Sequence, residues 1–552
     1  MAPRKNRRSE NRCRYYVRRE AERRGWDLRY VGSGGDVLEE QEIEAYFADV
    51  GLTGDRPDFL FCLAGNPTII VEAKNQAGKL KQAQKQAEDY ANKINAAGKY
   101  KIKLAVAAAG EEDKGFEISV SFLTNKGWTA LTSHEFAVTT FPTKAEVETA
   151  LKAEDGSTTV SVPSQAEFVD AAIETSRILR TAKIEAPLRP KVIGAVVLAM
   201  YEGQIDNTPS HVLQSVNELV KTAIDSVQQQ SEIIRERLKD ALRLSGADFN
   251  RLAPYIGRII NTLNRLNVRS VIQTDADFLG MFYEAFLRYG YDNNALGIVF
   301  TPRHITRMCV DLIQVSVRDQ VIDISAGTGG FLVSAFDAMK QQVRSAAEME
   351  KVKDSIVGFD TNPTVWALSM LNMLFRGDGK SHIYNESCFD DDAFAAIYRK
   401  CTRAFLNPPF SQDEEPEYLF IDRAMDALKT GGLMAAVVYA GIFADKNRNL
   451  WRQRFLLKHK LLAIISLPED LFYPTAAPSS IMIAEAHVPL AKTDRVFMAR
   501  IWNDGYEKLK GKRVERSGNQ IDEVVTQFHA FMQGKPVTSE LVTTIGGADI
   551  LL

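Results

Sequence analysis

The stretch Val321-Ile-Asp-Ile-Ser-Ala-Gly-Thr-Gly-Gly-Phe331 decides the fold. An apolar run stops at an acid, Asp323. Ser325, Ala326, Gly327, Thr328, Gly329 and Gly330 then form a turn, and Phe331 begins a run with helical spacing. This reads as strand, tight turn and helix, with glycine where the backbone bends sharply or approaches a ligand closely. Outward from it, residues 291–505 repeat the alternation. Strand-like runs stand at Gln320–Ser325, Ser355–Phe359, Ala404–Leu406, Leu433–Tyr439, Leu461–Ser466 and Ser480–Ala484, with helical patterns between them. That pattern implies an α/β, Rossmann-like, doubly wound parallel sheet whose ligands sit beyond the carboxyl ends of the strands. Asp323 is placed there to order the loop or to meet a cationic amine. A second strand, Ile356-Val-Gly-Phe-Asp-Thr-Asn-Pro363, ends at Asp360, which is placed to accept two ribose hydroxyls. Taken alone, a glycine turn is equally consistent with a plain tight bend.

Asn407-Pro-Pro-Phe410 narrows the choice, because it follows another strand and so lies at the same edge of the sheet. Moving a methyl group onto an aromatic amine is difficult, since the nitrogen lone pair is delocalised into the ring. The Asn407 side-chain oxygen and the Pro408 carbonyl can both accept hydrogen bonds from that NH₂, drawing the lone pair out of conjugation and aiming it. Pro408 and Pro409 remove backbone donors and fix the turn. Phe410 offers a face on which an extruded base can stack. Asn-Pro-Pro by itself is also an ordinary loop.

Together these residues resemble the adenine-specific DNA methyltransferases of the type I modification-subunit (gamma) class, over roughly residues 166–500. The resemblance extends to Asp277-Phe-Leu-Gly-Met-Phe-Tyr-Glu284, to Gly297-Ile-Val-Phe-Thr-Pro-Arg303 and to Ser466-Leu-Pro-Glu-Asp-Leu-Phe472 with Ile481–Ala484. It implies S-adenosylmethionine as cofactor, bound along Asp323, Ser325–Phe331 and Asp360, with Thr301 and Pro302 beside it. The substrate it implies is an adenine flipped from double-stranded DNA. Two positions depart from the family pattern: Ile324 stands where proline is usual, and Glu386 where aspartate is common, leaving Glu386 as a further cofactor contact. A protein or RNA methyltransferase is the alternative on the same motif; Phe410 and the segment with Tyr283-Glu284 favour DNA.

Near the N-terminus, Pro57-Asp58 and Glu72-Ala-Lys74 make a PD…ExK arrangement. Glu72 and Lys74 are two apart on a predicted strand and share a face. Asp58 and Glu72 can hold Mg²⁺ through hard oxygen ligands, with Lys74 stabilising charge or orienting water. Alone the pattern fits a solvated strand face. Ser9-Glu-Asn-Arg-Cys-Arg14 through Gly25-Trp26-Asp27 resembles the first helix of type I restriction nucleases, with Glu10 at the family's acidic position. Gln86-Ala-Glu-Asp-Tyr90 resembles their Gln-xxx-Tyr signature, which places Gln86 and Tyr90 in the same site.

The chain has 552 residues, enough for about three or four domains. The expected layout is a PD-(D/E)xK nuclease domain at 1–135, a linker at 136–165, a helical domain at 166–290, the methyltransferase at 291–505 and a docking tail at 506–552. A net charge of -3 gives no global sign of a nucleic-acid partner, although residues 1–24 hold ten Lys/Arg against three Glu. Five cysteines without a CxxC pair argue against zinc or a disulfide framework and fit a reducing cytoplasm. The longest apolar run, Leu433–Ala444, is short of the roughly 20 residues that cross a bilayer. No GxxxxGK[ST] loop is present, so an ATP-driven motor is not expected. The order of parts resembles type IIG and IIB restriction–modification polypeptides: adenine methylation plus Mg²⁺-dependent cleavage of unmodified DNA. The rival is a modification or sensing subunit whose nuclease fold is not catalytic. A tail of one helix and an apolar end is too small for a base-reading module of at least about 50 residues, which implies a separate specificity subunit in a hetero-oligomer with more than one copy.

Overall fold

The computed structural model describes residues 5–47, 50–52, 56–111, 115–206, 208, 210–227, 230–272, 282, 286, 301–409, 416–472, 478–509 and 512–550. The chain divides into two compact units. The first holds residues 1–185, 195–219 and 244–278; the second holds 186–194, 220–243 and 279–552.

In the first unit, helix α1 (Lys5–Arg23) precedes strands β1 (Val37–Glu39), β2 (Phe59–Leu63) and β3 (Asn66–Lys74). Helix α2 (Leu80–Ala96) and strands β4 (Leu104–Glu111), β5 (Gly115–Thr124) and β6 (Gly127–Ala130) follow. The six strands lie in chain order, antiparallel except for the parallel pair β3–β4, which α2 connects. The β2–β3 turn takes positive φ at Ala64 (49°) and Gly65 (77°), the left-handed pair that a two-residue hairpin requires. Helices cover both faces. Trp26, just past α1, meets Phe61 edge-on and donates its Nε1 hydrogen to the Pro142 carbonyl at 2.8 Å. Tyr90 of α2 packs with Leu60, Ile70 and Ala105 on the opposite face.

The second unit carries a nine-stranded sheet. Its strands are β7 (Val321–Asp323), β8 (Ile356–Phe359), β9 (His382–Tyr384), β10 (Cys401–Leu406), β11 (Leu428–Tyr439), β12 (Lys460–Ser466), β13 (Ser479–Glu485), β14 (Arg495–Arg500) and β15 (Val542–Gly546). Their spatial order is β9-β8-β7-β10-β11-β13-β12-β14-β15. Only β13 and β15 run against the rest. The strand order reverses between β7 and β10, so the crevice where ligands settle opens beside Asp323 and Asn407. Helices α3 (Arg303–Leu312), α4 (Gly330–Lys340), α5 (Pro363–Phe375), α6 (Glu417–Ala427), α7 (Asn449–Lys458) and α8 (Ile521–Met532) flank it. β9 is not legible in the sequence, because its three residues His-Ile-Tyr are too few to show a period.

Three boundaries differ from expectation. The helical stretch 166–290 is divided between the units: Gln165–Thr181 packs on Ala253–Asn264 in the first, and Glu232–Leu242 packs on α5 in the second. Each of these helices packs against its own unit's neighbouring helix. The segment expected as a linker is fixed within the first unit. Thr158 donates to the Glu146 carbonyl at 2.7 Å, the Ser161 N–H to Glu146 Oε1 at 3.0 Å, and Val160 is buried.

The expected docking tail is also part of the fold. β15 pairs along β14, and Phe528 and Phe531 of α8 set their rings 5.3 and 5.6 Å from Phe497. Without β15 the sheet would end at β14 with unpaired backbone groups, which is a liability for any sheet. Among the described residues no helix is long and apolar enough to cross a membrane.

Phe528 is buried beside β14. Phe528→Ala should destabilise the second unit by about 3–5 kcal/mol, as large-to-small aromatic replacements do. A lower denaturation midpoint in urea checks this; an unchanged midpoint would mean that α8 is only loosely attached.

Candidate active sites

The glycine turn is held from below by backbone and from beside by acids. The Ala326 N–H reaches the Phe359 carbonyl at 2.9 Å, and the Gly327 N–H donates to Asp360 Oδ2 at 3.1 Å. The other Asp360 oxygen accepts from the Asn362 N–H at 2.8 Å, at the residue that caps α5. Asp360 therefore ties the ends of β7 and β8 together. Each of its oxygens keeps a second lone pair with which to accept a ligand hydroxyl. Burial pushes its pKa up to about 6 against the pull of these two N–H groups.

Asp323 lies deeper. Its Oδ1 accepts the Ser325 N–H at 3.0 Å, and burial pushes it up to about 7, with the Asp360 charge adding to the rise and the Ser325 bond opposing it. A buried acid so reluctant to ionise favours a cationic group delivered to it. Ser325 Oγ is buried beside it with no partner. Gly329 takes φ 82°, and a Cβ there would stand 2.6 Å from Ser369 Oγ, so this position admits only glycine. Arg303 donates to the Gly330 carbonyl at 2.6 Å, and Asn372 donates to the Thr328 carbonyl at 2.7 Å. Ser369 and Asn372 were not singled out in the sequence, though two polar residues three apart in the otherwise apolar run Val365–Phe375 were a legible signal.

Asn407 leaves the end of β10. Its Nδ2 donates to Thr301 Oγ1 at 2.8 Å, while its Oδ1 is buried with no partner. Thr301 thus fixes the amide so that the acceptor is left for something else. Pro302 starts α3, and Pro408 is buried while Pro409 is half-buried.

Two expected cofactor contacts have other occupations. Phe331 is buried and stacks on Phe405 at 5.3 Å and 11°, joining α4 to the sheet. Glu386 is half-exposed and lies 3.7 Å from Arg237. Phe410, the segment Asp277–Met281 with Tyr283-Glu284, and Gly297–Phe300 lie outside the described residues.

In the first unit, Asp58 and Glu72 are both buried at the adjacent ends of β2 and β3. Asp58 Oδ2 accepts the Ala73 N–H at 2.7 Å, and its other oxygen pairs with Arg14 of α1. Glu72 Oε1 meets Lys74 Nζ at 2.6 Å; Glu72 Oε2 is buried without a partner. Burial, and then the Asp58 charge, push Glu72 up to about 7, with Lys74 opposing. Two neighbouring carboxylates, one with an orphaned oxygen, fit a divalent cation that completes its shell with water and phosphate. Among the described residues no group of three His, Cys, Asp or Glu side chains adds to them. Glu10 lies on α1, and its side chain is not described. Gln86 is half-buried with its Oε1 unpartnered, whereas Tyr90 is a core residue of α2.

The sheet order, glycine loop and paired acids define the second unit as a doubly wound α/β domain with a ligand crevice at its switch point. Residues 274–545 match the family model N-6 DNA Methylase. The chain is 33% identical over 243 residues to the type II restriction enzyme and methyltransferase RM.BcgI of Heyndrickxia coagulans, a match covering 42% of this chain and 38% of that protein. It is 23% identical over 350 residues to the type I restriction enzyme MjaIX methylase subunit of Methanocaldococcus jannaschii, covering 58% and 60%. The matches thus span only 38% and 60% of these relatives' lengths. The crystal structure of a modification subunit from Vibrio vulnificus YJ016 shares the fold, with a TM-score of 0.51 at 16% identity over 71% of this chain and 94% of that one.

A carboxyl whose folded pKa lies above its unfolded value costs nothing below about pH 4 and costs progressively more as pH rises toward the folded value. With Asp323 at about 7, the unliganded protein should lose stability between about pH 4 and 7. Asp323→Asn should flatten that part of the thermal-stability profile. An unchanged slope would show that Asp323 is not the group that titrates.

Proposed function

We propose that the second unit transfers a methyl group to the exocyclic amine of an adenine flipped from duplex DNA, and that Asn407 is the residue that makes the amine reactive. The observation carrying this reading is the orphaned, buried Asn407 Oδ1, aimed by the bond from Nδ2 to Thr301. That oxygen accepts one amine hydrogen and the Pro408 carbonyl accepts the other, so the nitrogen lone pair is released from the ring and turned to one side. S-adenosylmethionine, when bound, supplies an electrophilic methyl group. Asp323 would hold its ammonium end, Asp360 its ribose hydroxyls, and the Gly327–Gly330 turn would carry the rest. Asn407 is fixed before substrate arrives, so little reorganisation accompanies the reaction.

The first unit is read as a Mg²⁺-dependent nuclease. The succession of α1, β1, a short helix Gln41–Tyr46, β2, β3, α2 and β4, with Asp58, Glu72 and Lys74 at adjacent ends of β2 and β3 and a free Glu72 oxygen, supports this. The likeness to RM.BcgI, named as both restriction enzyme and methyltransferase, supports having the two activities in one chain. Asp58 and Glu72 hold the cation, and Lys74 stabilises the charge that develops on phosphate. One observation favours the rival reading, a DNA-sensing fold without cleavage: Arg14 already neutralises Asp58. A separate specificity subunit supplies base recognition in this scheme, consistent with the likeness to type I methylase subunits. With the tail committed to the sheet, that partner docks elsewhere.

Asn407→Ala should abolish methylation, because the side chain acts on the amine and not on the cofactor. Its S-adenosylmethionine affinity, read by calorimetry, should stay within about threefold of wild type, less than the loss of one cofactor hydrogen bond would produce. Parallel loss of cofactor affinity would refute the role. Lys74→Ala should remove Mg²⁺-dependent nicking of unmodified plasmid and spare methylation. If the wild-type protein never nicks under Mg²⁺, with or without its partner subunit, the sensing reading stands instead.

A further inference from the structure

Between β14 and α8 the chain makes an excursion that the methyl-transfer chemistry does not use. Tyr506–Leu509 and Lys512–Glu515 form an antiparallel hairpin with Leu509 opposite Lys512. Its base is locked. The buried Arg513 guanidinium grips Asp504 with two bonds, of 2.7 and 2.9 Å, and reaches Asp470 at 3.3 Å. His304 Nε2 lies 2.8 Å from the same Asp504 carboxylate, and its ring stands 4.9 Å from Tyr506.

Both anchors stand near the carboxyl edge of the sheet. His304 follows closely on Thr301, which holds Asn407, and Asp470 lies in the loop that leaves the carboxyl end of β12. The outer part of the excursion is dressed differently. Trp502 is 61% exposed with the Arg500 guanidinium 3.5 Å above its ring, and Leu509 is 53% exposed. Lys508 and Arg516 are exposed as well. Residues 506–516 hold five Lys/Arg against two Glu in a chain whose net charge is -3. The acids on this surface among the described residues include Glu469, 3.7 Å from Arg500, Glu507, 3.9 Å from Arg516, and the exposed Glu515 opposite Tyr506.

We propose that this hairpin, with the Arg500–Trp502 pair beside it, is a duplex-DNA contact surface that grips the strand backbone next to the flipped base. A two-stranded ribbon with a fixed base and a basic, partly aromatic outer part has the dimensions and charge to lie against a groove and its phosphates. Its root in the Asp504–Arg513–His304 cluster transmits that grip to the helix following Thr301. The inference rests on the reading of this unit as a DNA methyltransferase and adds where the duplex is held.

The test uses the full chain, S-adenosylmethionine and a labelled duplex of about 30 base pairs, long enough to cover a standard interface. Lys508→Glu should weaken duplex binding by about fivefold or more and make its salt dependence shallower, since a phosphate contact is lost. Trp502→Ala should weaken it by a similar factor. For both, KM for DNA should rise with kcat unchanged, and cofactor affinity should stay within about twofold. Lys351→Glu, an exposed change on a helix elsewhere in the unit, should bind as wild type does. If both hairpin variants bind duplex as tightly as wild type, the surface is wrong, and altered association with a partner protein at unchanged DNA affinity would equally overturn it. If wild type itself binds no duplex, the DNA reading of the whole unit falls, and the surface with it.

Discussion

The bond from Asn407 Nδ2 to Thr301 Oγ1 is the interaction around which the second unit is organised. An amide has one donor side and one acceptor side, and spending the donor on Thr301 leaves the acceptor buried and unspent. A buried, unpaired carbonyl costs a folded protein on the order of 1–3 kcal/mol, so its survival asks for a compensating use. Everything nearby serves to hold the two partners in place. β10 brings Asn407 to the edge of the sheet, Pro302 begins the helix that fixes Thr301, and Arg303 ties that helix to the glycine turn at Gly330.

The same physical theme runs through both units. Asp323, Asp360 and Glu72 are carboxyls pushed upward mainly by burial, each held by hydrogen bonds that do not satisfy it fully. Desolvated acids store unfavourable energy that a cation or a hydroxyl donor relieves. In the glycine turn Asp360 also has a structural task, since it holds the Gly327 backbone. In the proposed reading binding and folding therefore share one side chain, and a substitution there would change both.

The C-terminal residues show how a local pattern misleads about its role. An amphipathic helix and an apolar end look like material for a partner. Here the helix covers Phe497 and the end becomes β15, because an uncovered β14 would leave a row of backbone donors and acceptors without partners. Likewise, the Gly/Ser/Thr-rich segment near 153–165 has a linker's composition, yet Glu146 pins it through its carbonyl and carboxylate.

The sequence by itself determined the alternating α/β plan, most strand runs of the nine-stranded sheet, the position of the glycine turn, and the acids and Asn407 at strand ends. Those features are local: the period of apolar residues, the need for glycine at positive φ, and the residue that closes a strand are all written within a few neighbours. Only the tertiary structure decided which side of the Asn407 amide is free, that Phe331 belongs to the core, that Glu386 faces Arg237, and that Arg14 sits on Asp58. It also decided that the helices of 166–290 divide between two units. Each of these depends on contacts between residues far apart in the chain, and no local period encodes which distant surface a side chain or a helix will meet.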